Sequence, residues 1–160
     1  MWPFEETDKT FLKKTAMDQV HILLVDDNEG DIVLTLEALN EARIINRISV
    51  VKDGAAAIRL LNQQGEYAAQ ELPDLVLLDI NLPKIDGKEV LAHIKKSESL
   101  KRLPVIMLTT SSSEKDILDS YNNYANCYIT KPVDLVSFME VIRTIEDFWI
   151  TIVKLPKTAH

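Results

Sequence analysis

Five short aliphatic runs, each followed by an amphipathic segment, constrain this chain more than any other feature. They are HILLVD (His21–Asp26), RISVVK (Arg47–Lys52), DLVLLD (Asp74–Asp79), PVIMLT (Pro104–Thr109) and CYIT (Cys127–Thr130). Each run is apolar at successive positions rather than at alternate ones, which is the pattern of a strand covered on both faces in a parallel sheet. The segments between them repeat apolar residues at helical spacing: Ile32/Leu36/Leu39, Ile58/Leu61, Val90/Leu91/Ile94, Ile117/Tyr121/Tyr124, and finally Leu135, Phe138, Ile142, Ile145 and Trp149. Five βα units with right-handed crossovers give an α/β fold, a doubly wound five-stranded parallel sheet with helices on both faces. In such sheets ligands bind beyond the carboxyl ends of the strands.

The residues at those ends carry the chemistry. The first run closes on Asp26 and Asp27, the third on Asp79, the fourth on Thr109 and Thr110, and the fifth on Thr130-Lys131-Pro132. Three carboxylates around one pocket raise one another's pKa unless a cation holds them ionised. A hard divalent cation, Mg²⁺ first and Mn²⁺ as an alternative, takes oxygen ligands and leans on one or two carboxylates plus a phosphate. Asp79, followed by Asn81 and a loop stiffened by Pro83, can serve as metal ligand, as nucleophile, or as both. Lys131 suits a phosphate oxygen or a carboxylate, and the Thr109 hydroxyl suits a second phosphoryl oxygen. Singly, each residue also has a plain structural reading: an Asp as helix cap, a Thr as strand residue, a Lys as solvated charge. Their convergence at the ends of four strands favours a site.

The motifs VDD (25–27), LLDINLPKIDG (77–87), PVIMLTT (104–110) and YITKP (128–132) resemble, in order and spacing, the receiver domain of two-component response regulators. The resemblance spans about residues 20–148. It implies a flavodoxin-like strand order 2-1-3-4-5. It implies Asp79 as phosphoacceptor, with Asp26, Asp27, Asp79 and the backbone carbonyl of Asn81 as Mg²⁺ ligands. It also implies Thr109 and Lys131 as the phosphate-sensing pair, Tyr128 as an aromatic switch turning from solvent toward the core, and a cis Lys131–Pro132 peptide that turns the chain and aims Lys131 inward. Asn81 and Ser111, each two positions after a site residue, are expected to tune dephosphorylation. A short, neutral Ser111 would orient water poorly and leave a long-lived phosphoryl group. The phrases LLNQQGEY, NCYITK and EDFWITIVKLP are similar to those of small receiver-only regulators paired with bacterial, chiefly cyanobacterial, phytochromes.

The formal net charge of −7 disfavours direct binding to nucleic acid or anionic lipid. No run approaches the ~18 apolar residues of a membrane span, and the single cysteine excludes an intrachain disulfide and a four-thiolate zinc site. A cytoplasmic signalling protein is expected, an enzyme only toward its own phosphorylation, with a sensor histidine kinase of the phytochrome type as partner. Residues 1–19 read as a flexible extension, 20–148 as the receiver, and 149–160 as an apolar tail with no DNA-binding or other output domain after it. The tail residues Phe148, Trp149 and Ile152 either fold back on the chain's own core or cover a second copy in a homodimer. His21, His93 and His160 show no second ligand, and Cys127 reads as a small core residue. Among rivals, an aspartyl phosphatase needs a second acid where Asn81 stands, and no Gly-rich phosphate loop is present. A receiver-like scaffold that binds protein constitutively is the remaining alternative.

Overall fold

A computed structural model describes residues 19–41 and 46–156, apart from the side chains of residues 46, 151 and 152. The extension expected at residues 1–19 therefore lies, but for Gln19, outside the described residues, as does the side chain of Ile152. The elements alternate as expected. They run β1 (Val20–Val25), α1 (Glu29–Asn40), β2 (Asn46–Val51), α2 (Gly54–Leu61), β3 (Leu75–Leu78), α3 (Gly87–Lys96), β4 (Val105–Thr109), α4 (Glu114–Asn122), β5 (Cys127–Thr130) and α5 (Leu135–Ile145). A 3₁₀ turn at Gly65–Tyr67 precedes β3, and α5 runs on into a π-helical segment at Glu146–Ile152.

The sheet has the order β2-β1-β3-β4-β5 with every pair parallel. Successive strand residues supply opposite faces. Leu23, Val25, Val76, Leu78 and Met107 pack with Leu60, Leu61, Leu91 and Ile94 from α2 and α3. Ile22, Leu24, Leu77, Ile106 and Leu108 pack with Leu39 of α1 and Phe138 and Ile142 of α5. Both faces are thus covered, which is why the runs are apolar throughout. The edge strands are the exception: β5 is only half-buried and Thr130 is exposed, because an edge strand has a neighbour on one side.

Each of the five described α-helices starts with a side-chain cap. Asn28, Asp53, Asp86, Ser113 and Asp134 accept the backbone N–H of Asp31, Ala56, Glu89, Asp116 and Ser137 at 2.7–3.0 Å. Asp26 and Asp79, the strand-end acids, are not among these caps. The fourth helix departs from its expected stripe. It stops at Asn122, and Tyr124 follows with φ +66° and is 76% exposed. Tyr121 is exposed as well, and Ser120 is the one buried residue of α4. This helix rests on β5 and α3 over a narrow contact and leaves its tyrosines outside the core.

Candidate functional site

Parallel pairing fixes the site. The N–H of Asp26 donates to Val51 O at 3.1 Å and that of Asp79 to Val25 O at 3.0 Å, so these acids extend adjacent ladders by one residue. Lys131 N–H donates to Thr109 O at 2.7 Å and extends the β4–β5 ladder in the same way. The carboxylate oxygens of Asp26, Asp27 and Asp79 lie within 4.8 Å of one another. Asp26 and Asp79 are buried, and Asp27 is exposed at the mouth. Gly87 closes the floor: a Cβ there would stand 2.0 Å from the Asp79 carbonyl oxygen, so only a residue without a side chain lets α3 start against the end of β3.

Lys131 is drawn into the middle of these acids. Its ammonium donates to Asp26 Oδ2 at 2.6 Å, Asp79 Oδ2 at 3.0 Å and Asp31 Oδ2 at 3.0 Å, and its side chain is 2% exposed. Burial alone would lower the lysine pKa, but Asp26, Asp79 and Asp31 outweigh it and hold the ammonium charged well above its usual range. Burial pushes the Asp26 carboxyl up, against the hydrogen bonds from Lys131 and the Asn28 N–H, and the neighbouring Asp79 charge adds to the rise. Hard oxygen donors that crowd together in this way fit a divalent cation of the Mg²⁺ or Mn²⁺ type, with Asp26, Asp27 and Asp79 as side-chain ligands. The Asn81 N–H donates to Asp79 Oδ1 at 3.1 Å and folds the following loop back over the carboxylates, and the Asn81 side chain donates to Thr110 Oγ1 at 3.3 Å.

Two expectations are corrected here. Among the described residues every peptide bond is trans, including Lys131–Pro132. The trans form is the intrinsically preferred one, and it already delivers Lys131 to three carboxylates, so a cis turn at Pro132 is not what aims it. Tyr128 is not a solvent-facing ring either. It is half-buried against Leu-rich core, and its hydroxyl donates to Ser111 O at 2.8 Å. Thr109 is buried, and its Oγ1 receives the Ser111 N–H at 3.4 Å.

Two groups escaped the sequence reading. Asp31, in the first turn of α1, is one; its only signal was its place in the acidic run Asp26–Asp31, where a helix-start acid is commonplace. The second is a chain of contacts linking the site to α3 and α4. Ser111 Oγ donates to Asp116 Oδ2 at 2.6 Å, while Lys88 donates to Asp116 Oδ1 at 2.8 Å and to Asp119 Oδ2 at 3.2 Å. Lys88 and then Ser111 hold the Asp116 carboxyl below its usual range. The Ser111 hydroxyl proton is therefore committed to Asp116 rather than offered to the pocket.

At the tail, Phe148 is 50% exposed and meets Trp149 edge to face, with ring centroids 5.8 Å apart. Trp149 is partly buried and Ile150 buried, so the tail divides its apolar residues between core and surface. A groove of about 640 Å³ runs beside them, lined by Cys127, Ile129, Val141, Ile145, Phe148 and Trp149 among others. Cys127 is half-buried rather than a core residue. His21, by contrast, is buried and bonded on both ring nitrogens, and His93 bonds Asn62 Oδ1 at 3.0 Å. No described helix is long and apolar enough to cross a membrane.

Comparison with known proteins gives a consistent result. The family model described as the response regulator receiver domain matches residues 22–143. The chain is 47% identical over 135 residues to response regulator Rcp1 of Synechocystis, spanning 84% of this chain and 92% of that one. It is 39% identical to the probable methanogenesis regulatory protein FilR2 of Methanothrix harundinacea, spanning 84% and 86% of the two chains. Among solved structures, the phosphorylated cyanobacterial phytochrome response regulator RcpA matches with a TM-score of 0.85 at 47% identity, over 87% of this chain and 99% of that one. The Mn(2+)-bound form of Rcp1 matches with a TM-score of 0.85 at 46% identity, over 86% and 99%.

Proposed function

This chain belongs to the response regulator receiver-domain family, and from that premise we propose that it accepts a phosphoryl group on Asp79 from a phosphohistidine of a sensor histidine kinase. A carboxylate oxygen of Asp79 attacks phosphorus; the O–P bond forms as the P–N bond breaks, and the imidazole leaves with its electron pair. The observation that carries this reading is the buried Lys131 ammonium held among Asp26, Asp79 and Asp31, a preformed cation beside the nucleophile. Mg²⁺, or Mn²⁺ in its place, supplies neutralisation of the transferring oxygens when bound by Asp26, Asp27, Asp79 and the Asn81 carbonyl. Thr109 donates its hydroxyl to a phosphoryl oxygen, and the shift is passed through the Ser111 backbone to the Tyr128 hydroxyl. Ser111, committed to Asp116, is a poor director of hydrolytic water, and the Asn81 side chain is bonded to Thr110; both favour a long-lived signal.

The kinase is of the phytochrome type, a reading supported by the likeness to RcpA and Rcp1. The output is a protein contact rather than DNA, consistent with the net charge of −7, and the setting is cytoplasmic. The contact is a homodimer: the half-exposed Phe148 stands beside the apolar groove of the same face, so a two-fold pairing seats each ring in its partner's groove.

Incubation with a small acyl-phosphate donor, followed by intact-mass measurement, tests the reading. A single Mg²⁺-dependent phosphoryl adduct is expected, absent in Asp79→Asn. A folded protein that takes no phosphoryl group from the donor or from any phytochrome-type kinase overturns it and leaves the constitutive scaffold.

A further inference from the structure

We propose that Asp31 is a positioning residue of the phosphoryl-transfer site, anchoring the Lys131 ammonium from α1 while the other carboxylates on that ammonium are drawn to the metal and to phosphorus. The inference rests on the phosphoacceptor reading above and deepens it.

An ammonium has three donors. Those of Lys131 go to Asp26, Asp79 and Asp31, at 2.6, 3.0 and 3.0 Å. Two of these acceptors have a second duty. Asp26 and Asp79 belong to the group of carboxylates whose oxygens converge within 4.8 Å, and Asp79 is also the nucleophile. Each lone pair turned toward a metal ion or phosphorus is withdrawn from Lys131, and a lysine whose side chain is 2% exposed has little water to replace it. Asp31 stands outside the converging group and has no competing ligand duty. Its side chain is 24% exposed, so its own charge stays largely solvated while it reaches inward.

The helix start explains why the Asp31 carboxylate is available. Asn28 caps α1 by accepting the Asp31 N–H at 3.0 Å. In a reciprocal capping box the acid at the third helical position returns the favour by accepting the N–H of the cap residue. Here the Asn28 N–H goes instead to Asp26 Oδ1 at 2.9 Å. Asp26 thus does the capping work of an acid at position 31, and Asp31 is left to bind a lysine 100 residues along the chain. Without Asp31, Lys131 would rest on Asp26 and Asp79 alone and compete there with the incoming cation.

The test uses Mn²⁺ alone as probe, with free ion counted by electron paramagnetic resonance, in four proteins: wild type, Asp31→Asn, Lys131→Met and the double variant. Asp31→Asn is expected to weaken Mn²⁺ binding about tenfold, the scale of a lost outer partner, and to weaken it no more than about twofold where Lys131 is already Met, since only the direct charge effect is left. Asp31→Glu, which keeps charge and acceptor, should restore binding to near the wild-type value and keeps the test valid should the double variant fold poorly. Equal weakening in both lysine backgrounds, or no rescue by Glu, overturns the proposal and makes Asp31 one more surface charge. Failure of wild type to take a phosphoryl group while these Mn²⁺ results hold would sink the phosphoacceptor reading instead.

Discussion

A lysine set among acids 105, 100 and 52 positions away in sequence, with its side chain 2% exposed, has little water to fall back on. Replacing Lys131 with Met leaves Asp26 and Asp79 buried without their cation, and urea unfolding in the absence of divalent ion should show a loss of about 3–5 kcal/mol. Saturating Mg²⁺ should recover much of that loss, because an ion that binds only the folded state stabilises it by mass action. A deficit indifferent to Mg²⁺ would trace the cost to the lysine stem rather than its charge. At the opposite, N-terminal end of the strands, on β1, His21 offers a separate pH handle. Burial first, then the adjacent Arg47 guanidinium, lowers its pKa below the ordinary 6.5, against the Leu72 carbonyl, Asp74 and Glu71, which raise it. Its ring nitrogens already contact Leu72 O, Arg47 and Ser49 Oγ. The unfolded chain thus binds the proton more readily than the folded one, so the neutral ring's contribution to stability is complete above pH 6.5 and is lost as pH falls through the lowered folded pKa. Thermal unfolding at pH 7.5 and 5.5 should show this drop in wild type and a smaller one in His21→Gln. The sequence placed Lys131 with Asp26 and Asp79 at one end of the sheet, but not with Asp31, and indicated no partner for His21. Local spacing shows that Lys131 ends a strand, but not that Asp31 waits across the sheet.

Helix starts are set locally, since a cap is a contact between residues three apart and needs no tertiary fold. Asn28, Asp53, Asp86, Ser113 and Asp134 each cap the helix that follows. Gly87 shows the opposite case. Its role comes from the Asp79 carbonyl, which a Cβ would meet at 2.0 Å, and backbone cannot rotate aside as a side chain can. Gly87→Ala is expected to cost at least about 2–3 kcal/mol in urea unfolding and to slow adduct formation on Asp79 by shifting its carbonyl. Unchanged stability would mean that α3 can slide away freely. The fourth helix was over-read: apolar spacing at Ile117, Tyr121 and Tyr124 resembles a buried stripe, yet both tyrosines are exposed and only Ser120 is buried. Periodicity identifies an apolar face without saying whether the fold brings a second layer to cover it.

For the molecule as a whole, the tail is where self-association should register. Phe148→Ser removes the half-exposed ring beside the β5–α5 groove without opening the core, and sedimentation should show dimer dissociation increased at least about tenfold. On the homodimer proposal, phosphorylation on Asp79 should tighten self-association of the wild type; equal affinity with and without the phosphoryl group would separate the switch from the tail. The sequence by itself determined the five βα units, their placement in one parallel sheet, and the strand-end acids, Thr109 and Lys131, because burial on two faces writes continuous apolar runs and each run's end marks a site edge. It did not determine which acids touch which cation. Tertiary structure alone decided that Asp31 joins Lys131, that Ser111 is tied through Asp116 to Lys88, that Tyr128 bonds the Ser111 carbonyl, and that Lys131–Pro132 stays trans. The physical reason is that these are contacts between separate strands and helices, set by sheet register and helix packing at distances of a few ångströms, and no local pattern along the chain encodes them.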